Sequence, residues 1–130
     1  MRAKSFLLNS CVGLLLCIAL ACGGSSPTEP SGGYTPGWGQ LFVSESVVPR
    51  RTYNFDKAGT DKGRTRGNLA GDEEIDGSAG VNLLTGTFAN RDFNFSVNRN
   101  GTAIAVTGFW VDDNTIRLTE GASSITLKRQ

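Results

Sequence analysis

The sequence contains no histidine, and its three cysteines, Cys11, Cys17 and Cys22, all fall within the first 22 of 130 residues. Without histidine the commonest general base and the commonest metal ligand are missing. Beyond residue 22 there is no thiol either, so Ser-His and Cys-His nucleophile systems and a Cys/His zinc site are excluded there, and no disulfide framework can brace that part. Neither sign of charge dominates: 13 basic residues against 12 acidic give +1, which offers no global electrostatic case for nucleic acid. Past residue 22 no long apolar stripe of helical period is present, which argues against a helical domain. A carboxylate pair could still hydrolyse a glycosidic bond, but it needs two carboxyls at a defined separation. Asp72 to Asp76 is a run, and the chain reads as a non-enzyme without cofactor or metal.

What is present is a stretch, residues 83 to 128, that folds on paper into five antiparallel strands. Asn100-Gly101 suits a two-residue type I′ hairpin, in which both central residues need positive φ. That turn sets Val97 opposite Ile104, Phe95 opposite Val106 and Phe93 opposite Gly108, with the polar residues between them on the other face. Upstream, a two-residue Asn90-Arg91 turn pairs Phe88 with Phe93, Gly86 with Phe95 and Leu84 with Val97. Downstream, a three-residue Asp112-Asp113-Asn114 loop, with Asn114 in the αL region, brings Ile116 opposite Trp110. Gly121-Ala122, a glycine-first type II′ turn, then pairs Leu118 with Ile125 and Ile116 with Leu127. The face shared by these residues is continuously apolar. Left bare it would exceed the few hundred Å² that monomers tolerate, so further strands must cover it. The prediction is all-β: a small antiparallel up-and-down barrel or related sandwich of seven to eight strands.

The remaining strands are sought between residues 40 and 80. Gln40 to Glu45 and Thr52 to Phe55 read as two short strands, and Arg64 to Ala70 could supply a third. Over residues 50 to 66 six basic residues (Arg50, Arg51, Lys57, Lys62, Arg64 and Arg66) face two acidic ones, and Asp72, Glu73, Glu74 and Asp76 follow. Two readings stand: solvated loops whose charges pair weakly, or a basic surface for head groups, polysaccharide or an acidic partner. The acidic run has carboxylates at alternate positions and Gly77 at the sixth place of a calcium loop, but Leu83 stands where a bidentate glutamate is needed.

Residues 1 to 22 have the layout of an export signal: Arg2 and Lys4, then a largely apolar stretch from Phe6 to Ala21, too short for the roughly 20 apolar residues of a spanning helix. Its end, Ile18-Ala19-Leu20-Ala21-Cys22, resembles the lipobox of bacterial lipoproteins. The resemblance implies cleavage before Cys22, a diacylglycerol on its thiol and an acyl chain such as palmitate on the new amino terminus. It departs from the family at Ala19, where leucine is usual, and Ala19-Leu20-Ala21 also fits ordinary secretory cleavage. Gly23 after the cysteine resembles the outer-membrane rather than the inner-membrane type, if the cell is Gram-negative. Residues 22 to 39 form the lipidated cysteine and a Gly/Ser/Pro tether, leaving 40 to 130 as the barrel-like domain. Trp38 is expected to dock on the barrel rim or to serve a membrane or ligand. The meander also looks like the C-terminal part of small lipocalin-like lipoproteins. The functional expectation is a lipid-anchored envelope module that binds a small apolar ligand or partner, with Phe93, Phe95 and Trp110 as inner-face candidates. The alternative is a structural or protein-interaction lipoprotein without internal ligand, which uses the six basic residues to meet an envelope protein or polysaccharide.

Overall fold

A computed structural model of the chain describes residues 33–130. They form a closed antiparallel barrel of eight strands in sequence order. The strands are β1 (Leu41–Ser44), β2 (Arg51–Asn54), β3 (Arg66–Ile75), β4 (Asn82–Ala89), β5 (Asp92–Arg99), β6 (Thr102–Asp112), β7 (Thr115–Glu120) and β8 (Ser123–Arg129). β1 closes the barrel by pairing Phe42 with Arg129, Val43 with Lys128 and Ser44 with Leu127. The export segment and Cys22 lie outside the described residues.

Turn chemistry and side-chain alternation produce the expected register through the meander. Phe88 faces Phe93 and Gly86 faces Phe95; Phe93 faces Gly108 and Val97 faces Ile104; Leu118 faces Ile125. Asn90, Asn100, Gly101 and Gly121 all have positive φ, the conformation that asparagine and glycine adopt at least cost. The connection after β6 differs from expectation. Asp112 pairs with Thr115, and the register shifts between Trp110 and Asp112. The extra residue is therefore absorbed as a bulge at Val111, while Asp113-Asn114 makes the turn. Asn114 is not in αL; its N–H instead donates to the Asp112 carboxylate at 2.8 Å. The Arg91 guanidinium donates to the carbonyls of Trp110 (2.9 Å) and Val111 (3.2 Å) at the bulge. A bulge and a three-residue loop deliver the same face, so Ile116 still lies opposite Trp110.

The region from 56 to 80 is more regular than the charge pattern suggested. β3 runs through the acidic segment and pairs with both β2 and β4. β2 reaches only the second half of β3. Beside the first half the β2–β3 loop takes over: Thr60 Oγ1 accepts from the N–H of Ala70 (2.9 Å) and donates to its carbonyl (2.7 Å), and the Asp61 carboxylate accepts from the N–H of Asn68 (2.7 Å). The Asp61 N–H also donates to the Asn68 carbonyl at 2.9 Å, so the loop satisfies backbone groups of β3 that the short β2 does not reach.

Of the twelve side chains expected inside, eleven are buried and Ile104 is partly buried against them. Trp38, Phe42, Tyr53, Phe55 and Leu69 complete the core. Gly86 and Gly108 are needed for closeness rather than for flexibility. A Cβ on Gly86 would run into the Asn94 carbonyl, and one on Gly108 into the Phe93 ring, so the sheet coils tightly and the ring lies over the bare backbone.

Candidate functional site

The barrel interior is the place where an eight-strand barrel either holds a ligand or is filled by side chains. Here Trp38 fills it. The segment before β1 turns inward, and the Trp38 indole, 1% exposed, lies 5.2 Å from the rings of Phe88, Phe93 and Trp110 and 5.4 Å from Phe55. All four contacts have edge-to-face geometry, at 63° to 90°, the arrangement favoured by ring quadrupoles. Trp38 therefore goes past the rim into the centre of the core. Phe93 and Phe95 stack at 6.2 Å, and Phe42 packs edge-on to Trp110 at 5.3 Å. The three inner-face candidates Phe93, Phe95 and Trp110 are brought together as expected, but as members of a packed aromatic cluster. Neither the Trp38 nor the Trp110 indole N–H hydrogen-bonds to a described residue.

Tyr34 secures the same end. Its ring lies 5.8 Å from Trp110, the Arg91 guanidinium sits 4.1 Å above it, and its hydroxyl donates to the Asp113 carboxylate at 2.9 Å. Burial and that acceptor push the Tyr34 hydroxyl up to about 12.

The opposite end of the interior is closed by charge. Glu73, fully buried, receives hydrogen bonds from the Arg99 guanidinium at 2.6 and 2.7 Å, the Tyr53 hydroxyl at 2.6 Å and the Asn82 amide at 3.1 Å. Arg99 also donates to Glu120 at 2.5 and 3.0 Å, and Arg51 reaches Glu120 at 2.9 Å and lies 4.0 Å from Glu73. Two guanidinium groups and two carboxylates thus balance within the mouth of the barrel. Burial alone would raise the Glu73 carboxyl, but the bonds from Arg99, Tyr53 and Asn82 outweigh it and hold it below the usual range. Glu120 is lowered chiefly by Arg99. Tyr53 is raised, first by burial and then by Glu73 beside it. This network is built for structural closure: each carboxylate is neutralised by a cation rather than poised to accept a proton.

The network is absent from the sequence-based candidates, although the signal for it is present. Arg51 continues the inward phase of Tyr53 and Phe55, Glu73 that of Leu69 and Gly71, Arg99 that of Phe95 and Val97, and Glu120 that of Ile116 and Leu118. Extending each inward alternation by one step finds all four, three of them at strand ends and Glu73 one inward position before the end of β3. The same alternation turns Asp72 and Glu74 away from Glu73, and among the described residues no acidic cluster is arranged to hold a metal.

The six basic candidates do not form one patch. Arg51 belongs to the mouth network. Arg50 lines an outer hollow of about 420 Å³ together with Lys128 and Arg129. Lys57 pairs with Asp72 at 2.9 Å and Lys62 with Asp56, while Arg64 and Arg66 are exposed near the other end of the barrel. A second outer hollow, of about 430 Å³, lies over β4 to β7 and has Phe109 in its lining. No known protein family, curated protein or solved structure matches the chain.

Proposed function

We propose that the chain is an exported lipoprotein, anchored through a lipidated Cys22, whose barrel serves the cell envelope as a binding module that makes its contacts on the outside of its wall. The lipobox-like Ile18-Ala19-Leu20-Ala21-Cys22 supports the anchor, and two or three chains in the bilayer would make it durable at about 0.8 kcal/mol per buried CH₂. The observation that carries the second half is the position of Trp38. With its indole at the centre of the aromatic cluster and the Arg99–Glu73–Glu120 network across the other end, side chains occupy the space where a lipocalin-type ligand would lie. Trp38 and Tyr34 pack on the barrel rather than lying in a tether.

Three measurements test this reading. The intact mass of the mature protein should correspond to a chain beginning at Cys22 and bearing diacylglycerol and an acyl group. Replacing Cys22→Ser should release the protein from the membrane fraction, and unchanged fractionation would overturn the anchor. Native mass spectrometry should give the mass of the lipoprotein alone; a retained apolar molecule would return the interior as the binding site.

A further inference from the structure

The outer wall over β4 to β7 carries a group of polar side chains that the barrel does not use. Thr87, Asn94, Thr107 and Thr119 stand opposite one another in successive strands. In the next row Asp92 faces Phe109, which faces Arg117. All seven are exposed and line the 430 Å³ hollow, with the inward-facing Phe88, Phe93 and Gly108 contributing its floor. That volume lies within the range of small-ligand sites. None of the six polar side chains makes a hydrogen bond or ion pair with another described residue, although Asp92 and Arg117 have Phe109 as their common neighbour. Phe109 is 42% exposed, a large ring held outward on the central strand of the face.

The chemistry of this surface narrows its occupant. β4 to β7 each pair with a neighbour on both sides, so no free sheet edge is available here for strand addition. One aspartate against one arginine gives no net charge to attract a polyanion. Four short hydroxyl or amide side chains make the face too polar for an acyl chain. A neutral saccharide fits all of these features: its hydroxyls both donate and accept, Asp92 can accept from two of them, Arg117 and Asn94 can donate, and the apolar face of a sugar ring can cover the Phe109 ring. We infer that the groove over β4 to β7 is a binding site for a neutral glycan. This inference rests on the reading that the barrel binds at its outer wall, and is independent of the lipid on Cys22.

The test uses the mature protein in detergent against an array of neutral and acidic oligosaccharides, with the binding members then titrated by NMR. Neutral members should bind, with shifts at Asn94, Thr107 and Phe109. Phe109→Ala should weaken them about tenfold or more, the loss expected for one stacking ring. Asp92→Asn and Asn94→Ala should each reduce binding severalfold, while Thr126→Ala should leave it unchanged. All these positions except the half-buried Thr126 are exposed, and unaltered circular dichroism would establish that the barrel persists. Binding by no member, binding by acidic members alone, or full affinity in Phe109→Ala would overturn the inference. So would concentration-dependent shifts of the same residues without sugar, since a second copy of the chain would then occupy the groove. A retained apolar ligand in native mass spectrometry would instead defeat the outer-wall reading itself.

Discussion

The two ends of the barrel interior are closed by opposite means. At one end Trp38, from outside the sheet, enters among Phe55, Phe88, Phe93 and Trp110, and Tyr34 covers Trp110. At the other, inward positions at or near the strand ends carry Arg51, Glu73, Arg99 and Glu120, which pair across the opening. The apolar plug contributes by removing area from water and by ring packing. A charged closure contributes less net stability, because desolvation offsets much of the attraction, but breaking it by removing one partner is costly. An inward phase therefore need not end in an apolar residue where the barrel meets solvent: a long charged side chain can bury its stem and find its partner across the rim.

The largest effect is expected at the plug. Trp38→Ala removes a large buried ring from the centre of four others and should cost roughly 3–5 kcal/mol, seen as a lower urea midpoint. A small change would mean that the aromatic cluster collapses onto the space. At the charged end, Arg99→Met should cost about 2–3 kcal/mol, somewhat below the fully buried case because the guanidinium is partly solvated; adding Glu73→Gln should recover part of the loss by removing the stranded carboxylate.

The charged end should also give the barrel an acid dependence. Glu73 and Glu120 are held below their ordinary value of 4.5 in the folded chain, so the stability they contribute is present above that pH and is lost as pH falls through their lowered folded values. The melting temperature should therefore drop on acidification below about pH 4.5, and Arg99→Met should flatten that drop. An unchanged acid slope in the variant would assign the dependence to other carboxylates. The smallest effect is expected at Tyr34→Phe, which keeps the ring on Trp110 and loses only the hydrogen bond to Asp113. Because that bond is exposed, the cost should be no more than about 0.5–1 kcal/mol, readable as a slight shift in urea midpoint.

Cys22, the six basic residues and the three inner aromatic residues illustrate different degrees of legibility. The inner positions of Phe93, Phe95 and Trp110 follow from alternation, but whether they line space or fill it depends on Trp38, which is remote in sequence from all three. The basic residues look like one cluster along the chain, yet β2 is only four residues long and separates Arg50 and Arg51 at one barrel end from Lys57, Lys62, Arg64 and Arg66 towards the other. The outer groove was illegible for another reason. Thr87, Asn94, Thr107 and Thr119 become neighbours only when four registers are applied together, and the hollow depends on how tightly the sheet coils at Gly86 and Gly108.

By itself, the sequence determined the pairing of the last five strands. Two-residue turns at Asn90-Arg91, Asn100-Gly101 and Gly121-Ala122 act over short distances, and period-two alternation makes a one-residue slip reverse every face. Tertiary structure alone decided what closes the barrel: the entry of Trp38 and the pairing of Glu73 and Glu120 with Arg99 and Arg51 across the mouth. Each of these depends on groups that become neighbours only after the sheet has curled shut, so no local propensity specifies them. The meander is set by contacts a few residues apart, and its contents by closure.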